Sequence, residues 1–400
     1  MNLTFWSWVP GIQASVNLFN KTHPGIHVTL DETTSGNAGT YAKMFTALQA
    51  GNAPDLGQVE YSVLPNFEHV GGLVNLAPYG AASVKQDFIP SAWSAVTLGS
   101  AIYAIPQDTG PTALFYRADI FKKYHLPVPT TWAQYASDAA TLHADNPNIY
   151  ITAFPPQDTQ WFSALAWQNQ ARWFSISGQS WVVHIDDAAS MQVANYWQQL
   201  INKKLVKVEP DFADGWYHDL QNGVVATWPT AVWGDNTIAS NAPGTKGDWR
   251  VAPMPQWSTS GAPVESSWGG STTVVFKDTK HPQQAAEFAM WLNTNLSSWK
   301  TLISAGGLYP AEVQAQKLPE VNSGLAFFGG QNIFTVFRQS AANTDPNWTW
   351  GPVMSQTFTQ MADGFAKSVT GGPSLGAVLQ SVQSQTLSLM KSQGFSVRAG

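Results

Sequence analysis

Two adjacent carboxylate pairs, Asp31-Glu32 and Asp186-Asp187, and three acids in loop-like segments, Glu60, Asp108 and Glu265, are the residues best placed to do chemistry. Breaking a glycosidic bond takes two such groups, one to protonate the leaving oxygen and one to attack or to activate water. The adjacent pairs have plainer readings: Asp31-Glu32 ends a strand, and Asp186-Asp187 stands where a helix N-cap accepts backbone N–H groups. Glu60 and Asp108 suit hydrogen bonding to the hydroxyls of a bound ligand. An ionised carboxylate accepts through both oxygens and so fixes orientation in a largely apolar recess. Other chemistries lack their residues. The metalloprotease His-Glu-x-x-His, the Walker A loop and Gly-x-Gly-x-x-Gly are missing. The eight histidines (23, 27, 69, 125, 143, 184, 218 and 281) are scattered, and zero cysteines exclude disulfides, thiolate metal sites and thiol nucleophiles. No cofactor, no metal and no catalytic residue is expected.

The other unusual resource is aromatic: 19 Trp stand beside 20 Phe and 11 Tyr. Indole offers a broad apolar face and one N–H donor, so an excess fits a bulky core or a surface that stacks on flat ligands, and position along the chain must separate the two. Charge is sparse, at 12% of residues, and the net charge of −6 with only 20 basic residues leaves no stripe able to neutralise phosphates. Nucleic acid and anionic membrane surfaces are excluded as partners. No run of about 18 apolar residues exists to span a bilayer. Met1-Asn2 leads straight into Leu3, Phe5, Trp6 and Trp8, as though an export signal had been removed and an initiator Met put in its place.

At 400 residues the chain exceeds one ordinary core, and two compact units are expected. Residues 3–9 read as a strand, 11–22 as a helix with Ile12, Val16 and Phe19 on one face, and Ile26, Val28 and Leu30 alternate as a second strand. A helix over 39–50 and a third strand around Leu56–Val59 repeat the unit. Such βαβ units imply a parallel sheet covered by helices, with functional loops at the carboxyl ends of strands: 6–10, 33–37 and 58–61. Residues 102–117 read as two short strands around Gln107-Asp108-Thr109-Gly110-Pro111. Beyond 112 helices dominate, notably 187–203, until Trp268-Gly269-Gly270 precedes a strand over 272–276 and a helix opened by Pro282. Two amphipathic helices, 354–365 and 375–389, close the chain.

In order, Ala53-Pro54-Asp55, Tyr103-Ala104-Ile105-Pro106, Leu114 to Phe121, Leu126 to Trp132, Gly269-Gly270-Ser271, Pro282 to Leu292 and Gly307-Leu308-Tyr309-Pro310 resemble the extracellular solute-binding protein family 1, the group that includes maltose-binding protein. The resemblance implies an α/β, two-lobed periplasmic-binding-protein fold (type II) with ligand held in a cleft between the lobes. It places 1–110 and 270–308 in the first lobe and 111–269 and 309–400 in the second. Its implied function is the extracytoplasmic binding component of an ABC importer, a monomer that delivers a carbohydrate to membrane permease subunits, with a lipid anchor on the native precursor. Site residues carry over by position. They are Trp6, Trp8, Ser35, Gly36, Asn37, Glu60, Tyr61, Gln107 and Asp108, then Trp228, Trp233, Trp268, Gly269, Gly270, Tyr309, Trp348 and Trp350, with Trp161 and Trp167 weaker. One departure stands out: many relatives carry Arg after the Tyr-Pro pair, where this chain has Ala311-Glu312. Trp197 and Trp291 fall on core stripes of helices. Aromatics on both walls favour an oligosaccharide. A carbohydrate-active enzyme, or a receptor of the same fold for a polyamine or iron, remains as the alternative.

Overall fold

A computed structural model describes residues 1–400, and the chain divides into two compact units, Met1–Gly110 with Gly269–Asn322 and Pro111–Trp268 with Ser323–Gly400. The first is built on a five-stranded sheet in which His27–Glu32, Asn2–Ser7 and Leu56–Glu60 run parallel. Ser271–Val275 enters antiparallel between Leu56–Glu60 and Ala104–Pro106. Alternation decides which side chains go inside: Leu3, Phe5 and Ser7 are buried while Asn2 and Thr4 point outward. Phe5 meets Phe288 edge-on at 5.4 Å, and Phe19 of the helix Ile12–Thr22 meets the same ring at 4.9 Å. The antiparallel register sets Ser271 opposite Glu60 and Thr272 opposite Pro106. The start of that strand therefore shares one sheet edge with the carboxyl ends of its neighbours, which brings residues 8, 60–61, 107–108 and 269–270 together.

Residues 309–322 lie with this first unit and not, as expected, with the second. The cause is a long-range strand pairing. Tyr309–Pro310 forms an antiparallel ladder with Asp108–Thr109, and Ala311 N–H donates to Gln107 O at 3.0 Å. Trp291 is only half-buried, with its ring against Phe19 at 5.2 Å and His23 at 5.8 Å.

The second unit has a three-stranded antiparallel sheet, with Thr112–Arg117 between Thr227–Ala231 and Trp249–Ala252. Its helices start on capping side chains. Thr131 accepts from Gln134 N at 3.1 Å, Asp158 from Trp161 N at 2.9 Å, Asp187 from Ser190 N at 2.7 Å and Ser374 from Ala377 N at 3.2 Å. Each cap satisfies an N–H that the helix cannot, which typically contributes about 1 kcal/mol. Asp187 thus has the capping role expected of it. Trp132, Trp173, Trp197, Trp216 and Trp249 are fully buried here, so much of the tryptophan excess is core. No helix of the chain is long and apolar enough to cross a membrane.

Candidate functional site

On the first unit, polar groups and phenols gather at the shared sheet edge. Trp8, just past the first strand, stands edge-on to Tyr41 with ring centroids 5.7 Å apart. The Tyr41 hydroxyl donates to Glu60 Oε2 at 2.8 Å and accepts from Glu60 N–H at 3.0 Å. The phenol comes from the helix Thr40–Gln49 and holds the carboxylate at the end of the strand Leu56–Glu60. Gly36 is buried against this phenol, where a Cβ would sit 2.2 Å from the Tyr41 ring. Gln58 ties the edge together: its Oε1 accepts from Ser7 Oγ at 2.8 Å and Trp8 N–H at 3.1 Å, and its Nε2 donates to Ser271 Oγ at 2.9 Å.

Tyr61 N–H donates to Gly270 O at 3.2 Å, and its buried hydroxyl has no protein partner. Asp108, 3% exposed, accepts from Ser271 N–H at 2.8 Å through Oδ1. Burial first, and the Glu60 charge second, push its carboxyl up to about 7 against the hydrogen bonds that favour the anion. The Tyr61 phenol is raised by burial and by Asp108. Gly270 has φ +88°, and a Cβ there would meet the Tyr61 ring at 3.1 Å and Asp108 O at 3.2 Å, so its lost side chain permits the approach. Ser35 and Asn37 are exposed beside this patch in sequence, with no side-chain hydrogen bond to the protein.

Three candidates of this unit have structural partners instead. Trp6 points to the face opposite Phe5 and Ser7, where its indole N–H donates to Asp31 Oδ2 at 2.9 Å. The two-residue period of the strand puts it there. Gln107 is interior, with Nε2 donating to Asn293 Oδ1 at 3.2 Å and its backbone pairing with Ser271 and Ala311. Tyr309, 1% exposed, sits in the ladder opposite Thr109.

On the second unit five rings converge. Trp233 lies 4.7 Å from Trp268 and 5.7 Å from Trp228, and Trp228 lies 4.8 Å from Trp216. Phe212 is 5.5–6.3 Å from all four. Trp233 Nε1 donates to Trp268 O at 3.1 Å, which fixes the ring, and Gly234 leaves room where a Cβ would meet Trp228 at 3.1 Å. Phe212 was not a sequence candidate. It is 43% exposed with φ +56°, a backbone state costly for a bulky residue, and that exposure of a large ring is the signal sequence lacks. Beside it Asp211 is hydrogen-bonded to Asp158. Burial and the Asp158 charge push the Asp211 carboxyl up, and burial raises Asp158 against its helix-capping hydrogen bond.

Trp348 and Trp350 belong to another aromatic group. Trp167 stacks on Trp348 at 5.3 Å with planes 9° apart, Trp350 stands 5.1 Å from Trp348, and Trp167 Nε1 donates to Asp345 O at 2.8 Å. Trp161 is interior, with its ring 4.8 Å from Trp197 and its N–H donating to Pro229 O at 2.9 Å. Residues 372–376, Gly-Pro-Ser-Leu-Gly, have the spacing of a nucleophile elbow, which sequence reading passes over. Ser374 there follows no strand and serves as a helix cap.

A family model described as bacterial extracellular solute-binding protein matches residues 6–295. The arabinooligosaccharide-binding protein of Halalkalibacterium halodurans is 24% identical over 84% of this chain and 77% of its own length. The lactose-binding protein of Rhizobium radiobacter is 22% identical over 96% and 92%. Among solved structures, the galacto-N-biose-/lacto-N-biose I-binding protein of the ABC transporter from Bifidobacterium longum, in complex with lacto-N-biose, is 28% identical with a TM-score of 0.89, covering 100% of this chain and 99% of that one. The ABC transporter associated binding protein from B. animalis subsp. lactis, in complex with beta-1,6-galactobiose, is 25% identical with a TM-score of 0.90 over 99% of each chain.

Proposed function

Because this chain belongs to the bacterial extracellular solute-binding protein family, we propose that it is the binding component of an ABC importer, that its ligand is an oligosaccharide, and that it performs no chemistry on it. The observation that carries the reading is a pair of accessible rings, exposed Phe212 and half-buried Trp233, braced by the buried Trp216, Trp228 and Trp268. Pyranose rings present C–H faces that stack on such rings, and each stacked ring contributes roughly 1–3 kcal/mol from buried apolar area. Glu60, Asp108, Tyr61 and the Asp158–Asp211 pair supply the acceptors and donors that read hydroxyls. Asn37, Ser35 and the Gly269-Gly270 backbone complete the polar set on the first unit, with Trp8 stacking beside it. Trp348 and Trp350, in a separate aromatic group of the second unit, offer stacking faces for further sugar residues. Support comes from the relatives and neighbours named for arabinooligosaccharides, lactose and lacto-N-biose.

Delivery to permease subunits, a monomeric state and a lipid-anchored extracytoplasmic placement belong to the same proposal. Titration calorimetry with arabinooligosaccharides, lactose, lacto-N-biose and beta-1,6-galactobiose tests it, with chromatography of each sugar afterwards. The expected result is one-to-one binding of at least one sugar, recovered intact. Heat from none of them, or release of shorter sugars, overturns the reading.

A further inference from the structure

The helix Ala188–Asn202 turns one stripe outward beside residue 257, and a trough of about 580 Å³ lies there, lined by Met191, Gln192, Asn195, Tyr196, Gln199 and Trp257. These helix positions recur every three or four residues, so they form one continuous face. Trp257 is half-buried, edge-on to Tyr196 at 5.3 Å and tilted against Trp132 at 5.7 Å, while its buried indole N–H has no protein partner. Tyr196 is pinned because its hydroxyl donates to Trp132 O at 2.8 Å. Gln192 and Asn169 are joined at 3.1 Å, and the exposed amides of Asn195 and Gln199 make no side-chain hydrogen bond to the protein. Gly376 keeps this wall in place, since a Cβ there would come within 2.8 Å of the Met191 methyl and 3.6 Å of Asn195 Oδ1.

We propose that this trough is a second saccharide site on the second unit, made by residues separate from those of the five-ring group, and that it takes a neutral sugar. No lining residue is charged, so neither an anion nor a cation finds a counter-charge. Amide side chains donate and accept together, as vicinal hydroxyls require, and indole and phenol rings present faces to sugar C–H groups. The volume falls within the usual range of small-ligand sites, about 300–1,000 Å³. A lipid chain would ask for a wholly apolar lining, which three amides deny.

Indole ¹⁵N–¹H spectra of the full chain test this, with the Trp257 resonance assigned through Trp257→Phe and beta-1,6-galactobiose, lacto-N-biose and maltotetraose as probes. The expected result is a saturable shift of the Trp257 resonance with a Kd of about 1–10 mM. That shift persists in Trp233→Ala, which impairs the five-ring group, and weakens about five-fold in Gln199→Ala, an exposed change that leaves folding intact. No shift with any probe up to about 20 mM overturns the proposal. So does a shift that vanishes in Trp233→Ala, since it would then report the first site alone.

Discussion

The two units gather different chemistry. The first gathers acids and phenols, Glu60 under Tyr41 and Asp108 beside Tyr61, on a sheet edge whose positions are fixed by strand register. The second gathers rings, with Trp216, Trp228, Trp233 and Trp268 braced edge-to-face and Phe212 against all four. Hydrogen bonds of buried polar groups discriminate because an unmatched partner is left unsatisfied, whereas ring stacking tolerates many sugars and supplies area. In the proposed function the first unit chooses and the second unit grips.

Trp228→Ala breaks the aromatic half most severely. The ring is 5% exposed and supports Trp216, Trp233, Trp268 and Phe212, so its loss opens a cavity costing about 3–5 kcal/mol, read by denaturant unfolding of the second unit. Trp233→Ala separates grip from stability. This ring is only half-buried, and its removal lowers oligosaccharide affinity about 10- to 100-fold by calorimetry, corresponding to roughly 1.4–3 kcal/mol, with unfolding little changed. Equal loss of stability in the two variants would erase the distinction between bracing and stacking rings.

A pH series sharpens the comparison from the other side. Burial raises Asp108 on the first unit and Asp235 on the second, each to about 7, from an ordinary value near 3.8. A carboxyl raised on folding binds more protons in the folded chain, so the folded state is favoured fully below about pH 4 and loses that advantage as pH rises toward 7. The melting temperature should therefore fall between pH 4 and pH 7, and Asp108→Asn, which keeps an acceptor for Ser271 N–H, should flatten the fall by a few degrees. Asp235→Asn should flatten it independently, and additive effects mark the two units as separate ionic environments.

Much of this arrangement is legible in the sequence because short-range rules govern it. The alternation of Leu3, Phe5 and Ser7, the proline that opens the helix Pro282–Thr294 and the cap at Asp187 depend on neighbours a few residues away. The aromatic pair Trp228 and Trp233 is legible for a different reason, through resemblance of its segment to known relatives. What escapes sequence is long-range. Tyr41 meets Glu60 across 19 residues, Asp158 meets Asp211 from another element, and residues 309–322 join the first unit through a two-residue ladder. Trp161 and Gln107 look available in a linear reading, yet Pro229 takes the Trp161 N–H and Asn293 the Gln107 Nε2, both from far along the chain.

Trp6 offers the smallest and most diagnostic effect. It shares a residue type and a neighbourhood in sequence with Trp8, but the strand ends at Ser7, so Trp8 lies beyond the pleat that holds Trp6, whose N–H is spent on Asp31 at 2.9 Å in an exposed setting. Trp6→Phe removes that one hydrogen bond while keeping a ring, so stability should fall by about 0.5–1 kcal/mol and sugar affinity should not move. Trp8→Ala, next to Tyr41 and the Glu60 it holds, should instead weaken binding several-fold with a comparable effect on unfolding. Paired calorimetry on the two variants decides whether the recognition edge begins at the end of the first strand or already within it; weaker binding by Trp6→Phe would move that edge one full strand face away from Glu60.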